Sequence, residues 1–210
     1  MINIVLDAGH GLPDPGAVGP TGTTEEALAL DVCRRTMRRI NFLDTEDRTV
    51  VHMTRLGRYG LLNDKSADLQ ARCDFANNLP ADVFVSVHAN AHERLEAIGF
   101  ECFTSPGHTP ADVLATGMLL RFRETFPDRV ARLDYSDGDP DKEAKFRVLV
   151  GTHMPAVLFE LGFISNPEEE QWLLSLHNRI SFADVFAQSI LGFLGLVLPE
   201  SGSVVDSPRG

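Results

Sequence analysis

The chain has 210 residues, of which 43% are hydrophobic and 23% are charged, and this composition predicts one soluble globular domain. Its formal net charge of −11, with no basic cluster, argues against nucleic acid or an anionic membrane surface as a partner. The three cysteines are widely spaced and form no CxxC pair, so the sequence suggests neither a disulfide framework nor a cysteine zinc cluster.

The N-terminal half alternates between strand and helix patterns. Residues 2–6 form an apolar run that predicts a buried strand rather than a secretory signal, because neither a basic region nor a cleavage site accompanies it. A loop rich in glycine and proline follows, and Thr24 then offers an N-cap for a helix. The predicted elements of this half are a helix at 25–41, a strand at 50–54, a helix at 68–78 and a strand at 82–88.

The C-terminal half continues the alternation. Residues 127–145 are polar and are expected to form a loop, whereas the apolar stretch 182–198 contains polar interruptions and predicts a packed helix without stable membrane insertion. The predicted elements are strands at 99–104, 146–150 and 156–160 and helices at 110–126, 167–176 and 180–196. Together they predict an α/β fold with a mixed, largely parallel six-stranded sheet flanked by helices.

Three predicted strands end in residue types that catalysis uses. His10 follows the first strand, His88 closes the third, and Glu160 closes the last. Because the carboxyl ends of strands line the ligand crevice of open α/β sheets, these side chains can converge there. Glu25 opens the first helix near His10, and the adjacent Glu26 is an alternative to it.

Two imidazoles and one carboxylate suit a catalytic zinc ion, which keeps a fourth position for water. A further carboxylate can carry the proton of that water to a leaving nitrogen. Each residue also has an ordinary structural explanation. Strand-end histidines are commonly packed or solvent-facing, and a glutamate in a first helical turn is favoured by the helix dipole whatever its function. Residue types and spacing alone therefore leave the metal ligands open.

The candidate residues lie within sequence blocks that follow one another along the chain. The blocks are Ile4-Val5-Leu6-Asp7-Ala8-Gly9-His10-Gly11, Asp14-Pro15-Gly16-Ala17, Gly22-Thr23-Thr24-Glu25, Thr54-Arg55, Leu69-Gln70-Ala71-Arg72, Ser86-Val87-His88-Ala89-Asn90-Ala91, Gly99-Phe100-Glu101 and Met154-Pro155-Ala156-Val157-Leu158-Phe159-Glu160-Leu161-Gly162-Phe163-Ile164-Ser165-Asn166. In this order the chain resembles the zinc-dependent N-acetylmuramoyl-L-alanine amidases of the Amidase_3 family, from residue 2 to about residue 194. One departure is Leu12-Pro13, where relatives often carry a second glycine and a polar residue.

The resemblance implies one Zn²⁺ ion and hydrolysis of the amide bond between N-acetylmuramic acid and L-alanine in peptidoglycan. It also implies that the glutamate of the third block is a ligand, which selects Glu25 over Glu26, and that Glu160 is the catalytic acid/base. The implied zinc ligands are His10, Glu25 and His88. The side chains that we expect to contact the substrate are Asn90, Arg72 and His153.

The likeness assigns residues 1–199 to a zinc amidase catalytic domain and leaves 200–210 as a polar tail. Between His88 and Glu160 the sequence offers one good helix and a polar loop, without room for the inhibitory plug of some bacterial relatives, so no activator is expected. We interpret the chain as a monomeric phage or prophage endolysin, synthesised in the cytoplasm without a signal peptide and reaching the wall after membrane breach. The alternatives are a bacterial autolysin, a division or recycling amidase, a catalytically inactive wall-binding module and a zinc peptidase of the stem peptide.

Overall fold

The computed structural model of the protein describes residues 1–196, so the domain boundary at 199 and the tail at 200–210 lie outside the described residues. A six-stranded sheet forms its centre. The strands are β1 (Ile2–Ala8), β2 (Thr49–Met53), β3 (Val83–Asn90), β4 (Glu101–Thr104), β5 (Lys142–Glu143) and β6 (Ala156–Phe163). The helices are α1 (Glu25–Leu43), α2 (Lys65–Asn78), α3 (Pro110–Thr125), α4 (Arg147–Val150), α5 (Pro167–Leu174) and α6 (Leu176–Phe193).

The sheet is mixed but largely parallel. Its strand order is β2-β1-β3-β6-β4-β5, and every neighbouring pair runs parallel except β4 and β6. The parallel pairs need crossover helices between their strands, and the alternation of helices and strands along the sequence supplies them. The predicted fold class is therefore confirmed.

Alternate residues of each strand face two different helical layers. Val83, Val85 and Val87 of β3 are fully buried in the larger core, which also contains the apolar faces of α1, α3 and α6. Phe84 points to the opposite face, where the smaller core packs against α2 and α4. His88 is four residues after Phe84 in β3, so its side chain lies on the same face of the sheet, the one covered by α2 and α4.

One predicted strand is wrong. Residues 146–150 were expected to be extended, but they contain α4, a single helical turn. Val148 and Leu149 are both buried on the same side, which two adjacent residues of a strand cannot achieve because their side chains point to opposite faces. The sixth strand is instead β5, a two-residue pairing within the expected loop at 127–145. A short apolar run does not distinguish a strand from a helical turn by periodicity.

The C-terminal helices close the larger core. Phe182, Phe186 and Ile190 of α6 are fully buried, and α6 packs closely on α1 and α3. This packing agrees with the prediction of a buried terminal helix. Within residues 1–196, the structure contains no helix whose length and apolar character would let it cross a membrane.

Candidate active site

His10, Glu25 and His88 come together at the carboxyl end of the sheet. One potential ligand atom from each residue lies within 4.8 Å of the other two. Glu25 stands between the rings, with its Oε2 3.1 Å from Nε2 of His10 and its Oε1 2.8 Å from Nδ1 of His88. The histidine side chains keep 18% and 16% of their surface exposed, so a ligand can reach the cluster from solvent.

The backbone that presents His10 is unusual and is held by two buried arginines. His10 has a φ of 57°, in the left-handed region that non-glycine residues rarely adopt. Arg55 donates to the carbonyl of Gly9 at 2.8 Å, and Arg72 donates to the carbonyls of Ala8 and His10. Strained backbone persists where its surroundings fix it, and these guanidinium groups provide that constraint.

Two glycines let the backbone approach the candidate ligands closely. A Cβ atom on Gly9 would stand 2.3 Å from the His88 ring. A Cβ atom on Gly16, whose φ is +68°, would stand 2.5 Å from Oε2 of Glu25 and 2.7 Å from the His10 ring. Both positions therefore require glycine, because any larger residue would displace a candidate metal ligand.

Asp14 orients His10, a role that the sequence did not reveal. Its Oδ2 lies 2.9 Å from Nδ1 of His10, so that nitrogen can donate to Asp14 while Nε2 faces Glu25. A carboxylate on the outer nitrogen of a metal-binding histidine is a common support for such ligands. The sequence pattern that could have indicated this role is an aspartate four residues after a histidine in a glycine-rich loop.

The structure separates the two adjacent glutamates. Glu26 is fully buried and pairs with Arg58, away from the histidines. Burial alone would raise the pKa of Glu25, but its hydrogen bonds to His10 and His88 outweigh burial and hold that pKa well below the usual range of a glutamate. Glu25 is thus an ionised carboxylate at the centre of the cluster.

Glu160 lies beside this cluster on the next strand. Its Cα is the register partner of His88 in the β3–β6 pair and of Glu101 in the β4–β6 pair. Its Oε2 is buried and has no hydrogen-bond partner among residues 1–196. Burial, followed by the charges of Glu25 and Glu101, raises the pKa of Glu160 well above its usual value. A carboxyl group with high proton affinity and a free oxygen is suited to proton transfer.

Glu101 was not singled out as a site residue from the sequence, yet it organises one wall of the site. Its Oε1 accepts from Asn90 Nδ2 at 2.5 Å, and its Oε2 accepts from Lys142 at 2.5 Å and from Arg132 at 3.1 Å. Asn90, an expected substrate contact, is half-buried at the end of β3, close to the candidate metal cluster. Its position is compatible with that expectation.

The other two expected substrate contacts are not supported. Arg72 is only 1% exposed, and its guanidinium pairs with Asp7 and Asp68, each at 2.7 Å. It therefore supports the His10 loop from beneath and does not present its charge to a ligand. His153 precedes the amino end of β6, whereas Glu160 lies toward its carboxyl end. The strand between Ala156 and Glu160 alone measures about 13 Å. Its backbone N–H donates to Asn77.

The Amidase_3 family model, described as N-acetylmuramoyl-L-alanine amidase, matches residues 4–191. Among curated proteins, the N-acetylmuramoyl-L-alanine amidase AmiC of Escherichia coli O6:H1 is 28% identical over 90% of this chain and 51% of AmiC. The sporulation-specific N-acetylmuramoyl-L-alanine amidase of Bacillus subtilis is 34% identical over 78% of this chain and 57% of that protein. The chain thus spans about half the length of these relatives.

Solved structures show the same fold. The amidase AmiC2 of Nostoc punctiforme superposes with a TM-score of 0.79 at 26% identity, covering 92% of this chain and 97% of that chain. The catalytic domain of the CD27L endolysin, with a TM-score of 0.69 at 15% identity over 91% of this chain and 98% of that chain, is similar in fold alone. On the family match, which includes all four residues of the site, the chain belongs to the Amidase_3 family of N-acetylmuramoyl-L-alanine amidases.

Proposed function

We propose that the chain hydrolyses the amide bond between N-acetylmuramic acid and L-alanine in peptidoglycan, with a zinc ion held by His10, Glu25 and His88. The observation that carries this proposal is the position of Glu160, one strand away from the three candidate ligands and with a free carboxyl oxygen. Family membership and the amidase activity for which these relatives are named support the substrate class.

The residues present fit zinc. Two imidazole nitrogens and one carboxylate oxygen are a donor set found in catalytic zinc sites, and their separation of at most 4.8 Å suits one ion. Asp14 fixes the His10 ring, and the low pKa of Glu25 keeps its carboxylate charged at neutral pH. A zinc ion bound there would polarise the scissile carbonyl and make a water molecule acidic enough to attack it near neutral pH.

Glu160 is the proposed acid/base of the reaction. We propose that its carboxylate accepts the proton of the attacking water and returns it to the nitrogen of the departing L-alanine. Its buried Oε2, which has no hydrogen-bond partner among residues 1–196, is free to take part in this transfer. We propose that Asn90, which Glu101 holds by a hydrogen bond at the edge of the site, contacts the substrate.

Product analysis tests this function directly. Purified peptidoglycan is digested with the protein, with and without a chelator, and the products are identified by mass spectrometry. We expect intact glycan strands and stem peptides with a free N-terminal L-alanine, and no release in the chelator. Cleavage within the stem peptide would support a zinc peptidase instead. Wall binding without any released fragment would support an inactive binding module.

The structure bears on the need for an activator. α3, the long helix between His88 and Glu160 in the sequence, packs in the larger core on the face of the sheet opposite the site. We therefore propose that the chain is active without an activating partner, and we keep the expectation that it acts as a monomer. Full-rate digestion by the isolated protein, at the mass of one chain in light scattering, is the expected result.

The cellular setting is a separate part of the proposal. The curated relatives named above are bacterial amidases, one of them specific to sporulation, whereas the likeness to an endolysin is one of fold. This favours a bacterial wall-remodelling amidase, one of the alternatives above, over the phage endolysin. Loss of the gene should then impair separation or remodelling of the bacterial wall without affecting phage-induced lysis.

A further inference from the structure

A second group of potential ligands lies at the other end of β4. His108 precedes α3, Asp112 occupies the first turn of α3, and Asp139 lies in the segment before β5. One ligand atom from each residue lies within 4.8 Å of the other two. Thr104, which ends β4 beside this group, is three residues beyond Glu101, about 10 Å along the strand. The group is therefore separate from the site of Glu160.

A buried carboxylate adds an independent observation. Asp141 is only 3% exposed, and its Oδ2 accepts from the hydroxyl of Thr104 at 2.7 Å. Its Oδ1 is buried and has no hydrogen-bond partner within residues 1–196, and the same holds for Oδ1 of Asp139. Burial, together with the adjacent Asp139 and the charge of Asp112, raises the pKa of Asp141 to about 7. Buried unpaired carboxylate oxygens are costly, so this arrangement calls for a proton or a cation.

The surrounding contacts favour a cation. A proton shared by Asp139 and Asp141 would lie between one oxygen of each and pair both free oxygens, but it would leave one negative charge on the pair, near the carboxylate of Asp112. It would also make no use of His108 or of the Asp112 carboxylate, which the capping bonds of Thr109 hold in place. A divalent ion would neutralise several of these charges at once and use nitrogen and oxygen donors together.

We propose that His108, Asp112 and Asp139, with the buried carboxylate of Asp141 beside them, bind a second divalent metal ion of the transition-metal type, such as Mn²⁺ or Zn²⁺. The imidazole donor favours such ions over Ca²⁺, which takes oxygen ligands. The ion would join the start of α3 to the segment that carries β5, the two-residue edge strand. Lys142 of that strand reaches Glu101, so the ion would secure one wall of the active site from outside.

Metal content and thermal stability test the proposal. The protein is stripped with a chelator, exchanged into Zn²⁺ or Mn²⁺, and freed of excess ion, and bound metal is counted by mass spectrometry. We expect two ions per wild-type chain, one in the Asp139→Asn/Asp141→Asn variant and one in the His10→Ala/His88→Ala variant. Asp137→Asn, an exposed change in the same segment, should keep two. Mn²⁺ should raise the Tm of the His10→Ala/His88→Ala variant.

Two outcomes would overturn it. One is a single ion per wild-type chain that the Asp139→Asn/Asp141→Asn change leaves in place, which would mean that the two aspartates share a proton. The other is that Mn²⁺ raises the Tm of the His10→Ala/His88→Ala variant by the same amount whether or not Asp139 and Asp141 are also replaced by asparagine. If the double variant does not fold, His108→Ala replaces it, because this exposed side chain can be removed without opening the core. The variant should also lower the number of bound metal ions per chain toward one.

Discussion

His88 and Glu160 are register partners on the adjacent parallel strands β3 and β6. Partners in a sheet project their side chains to the same face, so this pairing sets a candidate metal ligand beside the candidate acid/base. A shift of β6 by one residue would turn Glu160 into the larger core and bring a core residue to the site. The geometry of the site is therefore a consequence of strand register.

Replacing Glu160 by glutamine should remove proton transfer and preserve the metal. We expect Glu160→Gln to lower the rate of peptidoglycan digestion at least about 100-fold, because glutamine can neither accept nor return the proton. Bound zinc should stay at the wild-type level, since Glu160 is not among the three proposed ligands. Glu124→Gln on the exposed surface of α3 is the matched control and should retain full activity. Substantial activity in Glu160→Gln would remove this residue from the mechanism.

Removing Asp14 should weaken metal binding without removing a ligand. In Asp14→Ala, the His10 ring loses the partner of Nδ1 and is free to rotate or change tautomer. We expect zinc affinity to fall about 10- to 100-fold, as is typical for the loss of such a support. Competition with a fluorescent chelator measures this change, with the exposed Asp128→Ala as control. Unchanged affinity would show that the backbone of His10 alone orients the ring.

The residues of the proposed metal site could be named from the sequence because short ordered motifs hold them. His10, Glu25 and His88 each lie at the end or start of an element, and the structure brings them together there. The role of Glu101 was missed because β4 runs antiparallel to β6, and this pairing across distant parts of the chain left no local pattern. The same limit applies to Asp141, whose significance depends on neighbours brought together by folding.

Arg72 shows a second limit of sequence reasoning. A conspicuous arginine in a motif block invites a role in binding an anionic substrate, but the fold buries it between two aspartates. Its position on α2, four residues after Asp68, was visible in the sequence as an ion-pair spacing. Burial, which decides between the two roles, follows from how α2 packs on the sheet and could not be inferred from the spacing.

Replacing Arg72 by methionine tests this structural role. The change leaves the carboxylate of Asp7 buried without its cationic partner, and we expect the free energy of unfolding to fall by about 3–5 kcal/mol. Urea denaturation measures this loss, and Arg123→Met on the exposed face of α3 should change stability by less than about 0.5 kcal/mol. A raised KM with unchanged stability would instead restore Arg72 as a substrate contact.

The pH dependence of stability should report on Asp141 in metal-free protein. Burial and the neighbouring Asp139 and Asp112 raise the pKa of its carboxyl from 3.8 to about 7 in the folded state, so the folded protein binds the proton more tightly than the unfolded chain. The contribution of Asp141 to stability is then fully present below about pH 4 and is lost as the pH rises through about 7. Asp141→Asn removes this titration.

We therefore expect the Tm of the wild type to fall relative to that of Asp141→Asn between about pH 5 and about pH 8, with a chelator present throughout. Differential scanning calorimetry of both proteins across this range provides the measurement. Parallel curves would show that Asp141 does not titrate differently in the folded state. With Mn²⁺ in place of the chelator, the wild type should regain stability at the higher pH and the variant should not, because the cation would then replace the proton between the carboxylates.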